Sequence, residues 1–86
     1  MTTTTKKQSF FRVMLDEKDL LEDTIHVTHN GFPYDFEVTR ILELIEMTTK
    51  HEQKIIEVTF RKLDFANADF KHYLKHLALC FLKNSN

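Results

Sequence analysis

Gly31 is the only glycine among 86 residues, and no other feature narrows the possible structures as far. Backbone that must lie against a phosphate or a dinucleotide needs several glycines, because a Cβ blocks the approach. A Walker loop, a dinucleotide fingerprint and a glycine-built oxyanion loop are therefore excluded. Gly31 follows Asn30, and Asn-Gly is the strongest short-range turn signal. Cys80 is equally solitary, which excludes an intramolecular disulfide and any zinc or iron–sulfur site that draws several cysteines from one chain.

A chain of this length buries about 60–65% of its unfolded surface and builds one modest core. Residues 1–8 are expected to be a polar tail and residues 9–86 a single domain. Residues 1–46 carry 5 basic and 9 acidic side chains, −4, and residues 47–86 carry 7 and 4, +3. The net charge of −1 supplies no field toward DNA or membrane. Most of the acidic excess lies in one run from Asp16 to Asp23, read as a solvated turn or as a contact for a basic partner. Neither a signal-peptide pattern nor a run of about 18 apolar residues is visible, so a cytoplasmic protein is expected.

Ser9 to Leu15 is rich in strand formers and is read as a strand. Thr24 to His29 alternates, with Ile25 and Val27 on one face, and is a second strand. Two readings compete for Phe32-Pro33-Tyr34-Asp35-Phe36. In a hairpin, His29, Val27 and Ile25 would face Phe32, Tyr34 and Phe36, with all apolar groups on one face. In a loop, Pro33 would end the strand and Asp35 would cap the next helix; the loop is preferred.

Glu37 to Thr49 is expected to be helical, with Val38, Ile41, Leu42 and Ile45 inward and the surface pairs Arg40–Glu43 and Glu46–Lys50. Lys50 to Gln53 reads as a polar connection. Lys54 to Leu63 reads as a strand with Ile56, Val58 and Phe60 inward, parallel to its neighbour. Asn67 is expected to cap a helix to about Lys83, burying Phe70, Tyr73, Leu74, Leu77 and Phe81. The expected fold class is α/β or α+β, two-layered, with a small mixed sheet in the order β-β-α-β-α.

The chemistry-bearing residues are few. His72 and His76 are four apart on one helix, a workable spacing for zinc, although Lys71, Lys75 and Lys83 nearby oppose a cation. Cys80 reads as a small packed hydrophobe. Serine occurs only at Ser9 and Ser85, so no Ser/His/Asp arrangement stands out. Acidic residues interleave Lys54, Arg61, Lys62, Lys71 and Lys75, against a basic stripe for nucleic acid. Phe36, Phe60, Phe65, Phe70 and Phe81 are assigned to the core, while Phe10, Phe11 and Phe32 could form a surface patch.

The stretch Glu57-Val58-Thr59-Phe60-Arg61-Lys62-Leu63-Asp64-Phe65-Ala66-Asn67-Ala68-Asp69-Phe70 resembles the signature of STAS-like domains, the anti-sigma-factor antagonists and their relatives. There an apolar strand and an aromatic turn lead to Asp or Asn, which caps a helix at a phosphorylatable Ser or Thr. The resemblance is closer to SiaC-type regulatory phosphoproteins. Their junction reads Lys-Leu-x-Tyr-x-Asn-Thr-Ser-Ser, against Lys62-Leu63-Asp64-Phe65-Ala66-Asn67-Ala68-Asp69-Phe70 here. Their Tyr-Pro-x-Asn-Ser is similar to Phe32-Pro33-Tyr34-Asp35-Phe36, and the match spans about residues 24–83.

The resemblance implies a docking module rather than an enzyme, with no cofactor. Its implied partners are an anti-sigma-like kinase, a PP2C-type phosphatase or a diguanylate cyclase. Ala68 stands where the phospho-acceptor would be, so this chain cannot be switched there, and Asp69 could act as a fixed negative charge at the helix end. The expected reading is a non-enzymatic regulatory interaction module, a homodimer or hetero-complex that covers an open sheet edge, with neither nucleic acid nor membrane as partner. Its contact surface is placed at Asn67, Ala68, Asp69 and His72 with Phe32, Pro33 and Tyr34. The alternatives are a small nucleic-acid-associated regulator and a zinc-binding protein that uses His72 and His76.

Overall fold

A computed structural model describes residues 8–63 and 67–84. The order is α1 (Phe10–Glu17), β1 (Thr24–His29), β2 (Phe32–Glu37), α2 (Val38–Glu46), α3 (Lys50–Lys62) and α4 (Asn67–Asn84). The fold is α+β, with four helices and one two-stranded antiparallel sheet. No parallel strand occurs among the described residues, so the order is α-β-β-α-α-α, not β-β-α-β-α.

Two segments read as strands are helices. The Ser9 side chain accepts from the Arg12 amide at 3.2 Å and starts α1. Phe11 and Leu15, four apart, are buried, with Phe10 and Met14 half-buried beside them. That pattern is helical, and it outweighs the strand propensity of Phe and Val. Thr49 and Glu52 form a reciprocal capping box at the start of α3, so Lys50–Gln53 is a first helical turn rather than a connection. Ile56 and Phe60 are buried one turn apart, whereas Val58, expected to face inward, is 39% exposed. The Glu46–Lys50 pair is not formed, because α2 has ended before Lys50 begins α3.

The hairpin reading holds for residues 32–36, and the loop does not. β1 and β2 pair with His29 opposite Phe32, Val27 opposite Tyr34 and Ile25 opposite Phe36. Asn30 at φ 54° and Gly31 at φ 82° make the two-residue turn, since positive φ at both central positions suits the strand twist. This turn closes on a hydrogen-bonded pair, and such pairs alternate along the ladder. The Val38 amide accordingly donates to the Asp23 carbonyl at 3.0 Å at the far end. Thr28 and Pro33 then fall in a pair without ladder bonds, so the missing Pro33 amide lies on the open edge of β2 and costs nothing. Asp35 is not a helix cap; Glu37 occupies that position without a side-chain bond.

The core draws on every element but β2, which adds only the half-buried Phe36. Leu15, Ile25, Val38, Ile41, Leu42, Ile45, Phe60, Phe70 and Leu74 are all buried. Phe60 is ringed by Phe11, Phe70 and Tyr73 at centroid distances of 5.8, 5.5 and 5.3 Å. Phe36 and Phe81 are half-buried against this core; Phe65 lies outside the described residues. The acidic run from Asp16 forms the end of α1. Asp19 takes φ 55°, its amide donates to the Asp16 carbonyl, and the Leu20 amide donates to the Leu15 carbonyl, both at 3.0 Å. This is a Schellman cap, sealed by the buried Leu15 and Leu20.

Candidate functional site

The β-hairpin has two chemically distinct faces. Residues directly opposite each other share a face, so Thr24, His26, Thr28, Pro33, Asp35 and Glu37 make one polar side. There His26 Nδ1 lies 2.6 Å from Asp35 Oδ1 in an exposed cross-strand pair. The other side carries Ile25, Val27 and Phe36 over the core and ends in His29, Tyr34 and Phe32. Phe32 is 65% exposed and Tyr34 37%. The His29 and Tyr34 rings lie 6.4 Å apart, and the Asn30 amide group meets His29 Nε2 at 3.2 Å. An aromatic group is thus displayed on a tight turn whose geometry leaves it little freedom.

The first two turns of α4 hold the other expected contact residues. Ala68 and His72 are exposed and Asp69 is half-buried; the Asn67 side chain, expected to cap the helix, lies outside the described residues. Lys71 Nζ pairs with Asp23 Oδ2 at 3.2 Å, which ties this end of α4 to the open end of the hairpin. Six-residue strands put roughly 17 Å between that end and the turn. Phe32, Pro33 and Tyr34 therefore belong to a different part of the surface from Ala68, Asp69 and His72.

His76 Nε2 lies 3.7 Å from Cys80 Sγ, and its ring stacks on Tyr73 at 6.0 Å. Cys80, expected to be packed, is half-buried on a groove between α3 and α4. Among the described residues no three His, Cys, Asp or Glu side chains are placed together as metal ligands. A hollow of about 430 Å³ is lined by Asp16, Asp19, Leu21, Glu22 and Thr39, which locates the acidic run at the surface.

Much of the basic charge is already engaged. Arg61 bonds Glu57 at 3.0 Å and lies 4.6 Å over the Phe10 ring. Lys54 reaches Glu57 at 4.0 Å and Lys71 reaches Asp23. Among the described residues no helix is long and apolar enough to cross a membrane. Comparison with protein-family models, with curated proteins and with solved structures finds no match to this chain.

Proposed function

We propose that this chain is a non-enzymatic protein–protein interaction module that uses the hairpin as its contact finger. The observation that carries the reading is the outward display of Phe32 and Tyr34 on one face of a type I′ hairpin. Aromatic side chains bring large contact area with few rotatable bonds, and a pre-formed turn lowers the ordering cost of binding. The partner surface that fits is an apolar pocket with a hydrogen-bond acceptor for the Tyr34 hydroxyl. The engagement of Arg61, Lys54 and Lys71 with carboxylates favours this reading over a nucleic-acid regulator.

The finer reading, a STAS-like adaptor with Ala68 in place of the phospho-acceptor, rests on short motifs alone. The segment Glu57–Lys62, which those motifs take as a strand, belongs to α3, so only the general adaptor role is carried forward.

A photoreactive phenylalanine at position 32, expressed in cells of the source organism, tests the finger. The expected result is a discrete covalent adduct that Tyr34→Ser weakens at least tenfold, as truncation of an aromatic hot spot does. Equal adducts from a probe at the exposed Lys54 would overturn the assignment.

A further inference from the structure

His76 Nε2 and Cys80 Sγ stand at the separation that a tetrahedral metal ion imposes on two of its ligands. They are 3.7 Å apart. Zinc–nitrogen and zinc–sulfur distances of about 2.0 and 2.3 Å, joined at a tetrahedral angle, place such atoms about 3.6 Å apart. The four-residue spacing on α4 puts both groups on one side of the helix. Stacking on Tyr73 at an interplanar angle of 22° orients the imidazole. Both groups are reachable, since His76 is exposed and Cys80 half-buried.

Zinc takes four ligands, and the described residues of one chain bring two to this point. No third His, Cys, Asp or Glu joins them among the described residues, which leaves two positions that another molecule can fill. We propose that His76 and Cys80 are one half of an intersubunit zinc site, completed by the same two residues of a second copy across a two-fold axis. An isologous contact of this kind repeats each ligand and closes the assembly at two chains. Each thiol gives its proton to solvent as the sulfur–zinc bond forms, and each imidazole binds through the lone pair of Nε2. No electron transfer is involved.

The charges also balance. Two thiolates neutralise Zn²⁺, which removes the cation that Lys75 and Lys83 would oppose, and Glu52 lines the same groove. The chain's own net charge of −1 opposes pairing only weakly. Around the ligand pair lies an apolar groove of about 190 Å³ that includes Ile55, Tyr73, Leu77 and Phe81. Ile55 is 52% exposed, and a second copy drawn to the ion would cover it. These residues are separate from the hairpin finger, so this site and the finger stand or fall independently.

The test uses the full-length, untagged, reduced chain. Zinc is expected to double the mass seen by light scattering, at half an equivalent per chain, and EDTA to reverse it. Cobalt in place of zinc should give the visible bands of a tetrahedral ion together with a thiolate charge-transfer band. Cys80→Ser should lose that band and the zinc-dependent dimer, His76→Ala should lose the dimer, and His72→Ala should keep both. Far-UV circular dichroism of the variants confirms that the helices persist. A monomer that ignores zinc, metal bound without a thiolate band, or a Cys80→Ser variant that dimerises like the parent would each overturn the proposal.

Discussion

At the scale of single residues, two positions trade local cost against placement. Asp19 holds the left-handed cap position of α1 at φ 55°, where glycine meets no Cβ penalty. Its carboxylate also sits at the negative end of the helix dipole. Asp19→Gly is expected to stabilise the fold by about 0.5 kcal/mol, ~2–4 °C in Tm, after the entropy that glycine adds to the unfolded chain. Asp19→Asn separates the charge effect from the backbone effect in the same thermal melt. Glu52 behaves differently. Hydrogen bonds from the Thr49 amide at 3.1 Å and hydroxyl at 2.9 Å hold its carboxyl below the ordinary 4.5, with His51 adding a smaller push in the same direction. A lowered folded value means that the cap's contribution is complete above 4.5 and is lost as pH falls through the folded value. Carbon NMR of the Glu52 carboxyl should therefore show a midpoint below 4.5 that Thr49→Ala moves upward; an unmoved midpoint would refute the assignment.

Elements were legible in the sequence where two signals agreed. α2 and α4 combine a 3.6-residue apolar stripe with sufficient length, and β1 and the Asn-Gly turn combine alternation with turn chemistry. α3 was ambiguous because Ile56, Val58 and Phe60 satisfy a two-residue period while Ile56 and Phe60 also satisfy a helical one. The deciding signal was present in Thr49-x-x-Glu52, the capping box. In β2 the sequence misleads through Pro33, which excludes only a strand that needs the amide at that position. Pro33→Val is expected to change stability by less than about 0.5 kcal/mol, as for other surface positions. It should also expose a new edge amide that promotes aggregation, seen as rising light scatter on concentration. A loss above about 2 kcal/mol would show instead that Pro33 holds the hairpin together.

At the scale of the whole molecule, the two-stranded sheet has open edges, but Pro33, Asp35 and Glu37 guard the outer side of β2. The self-association proposed above lies on α4 rather than on the sheet. There Leu79, Cys80, Phe81 and Leu82 are consecutive half-buried residues, of which Leu79, Phe81 and Leu82 also pack against the chain's own core. The hairpin finger lies apart from the first turn of α4, so the contact surface expected to join Phe32–Tyr34 with Ala68, Asp69 and His72 divides into separate regions. Sequence spacing could not show this, because the Lys71–Asp23 pair that orients α4 against the hairpin links residues 48 positions apart.

By itself the sequence determined the turn at Asn30-Gly31, the helices that follow residues 37 and 67, the apolar stripe that each of them buries, and the exclusion of glycine-built phosphate sites. Those properties depend on neighbours within a few residues, where steric and hydrogen-bonding rules act locally. Only the tertiary structure decided that residues 10–17 are a helix; for residues 50–62 it bore out the helix start that Thr49-x-x-Glu52 marks. Short apolar runs fit both periods, and burial against Phe60, Phe70 and Leu74 selects between them. It also set the His76 imidazole against Tyr73 and Cys80 on the groove between α3 and α4.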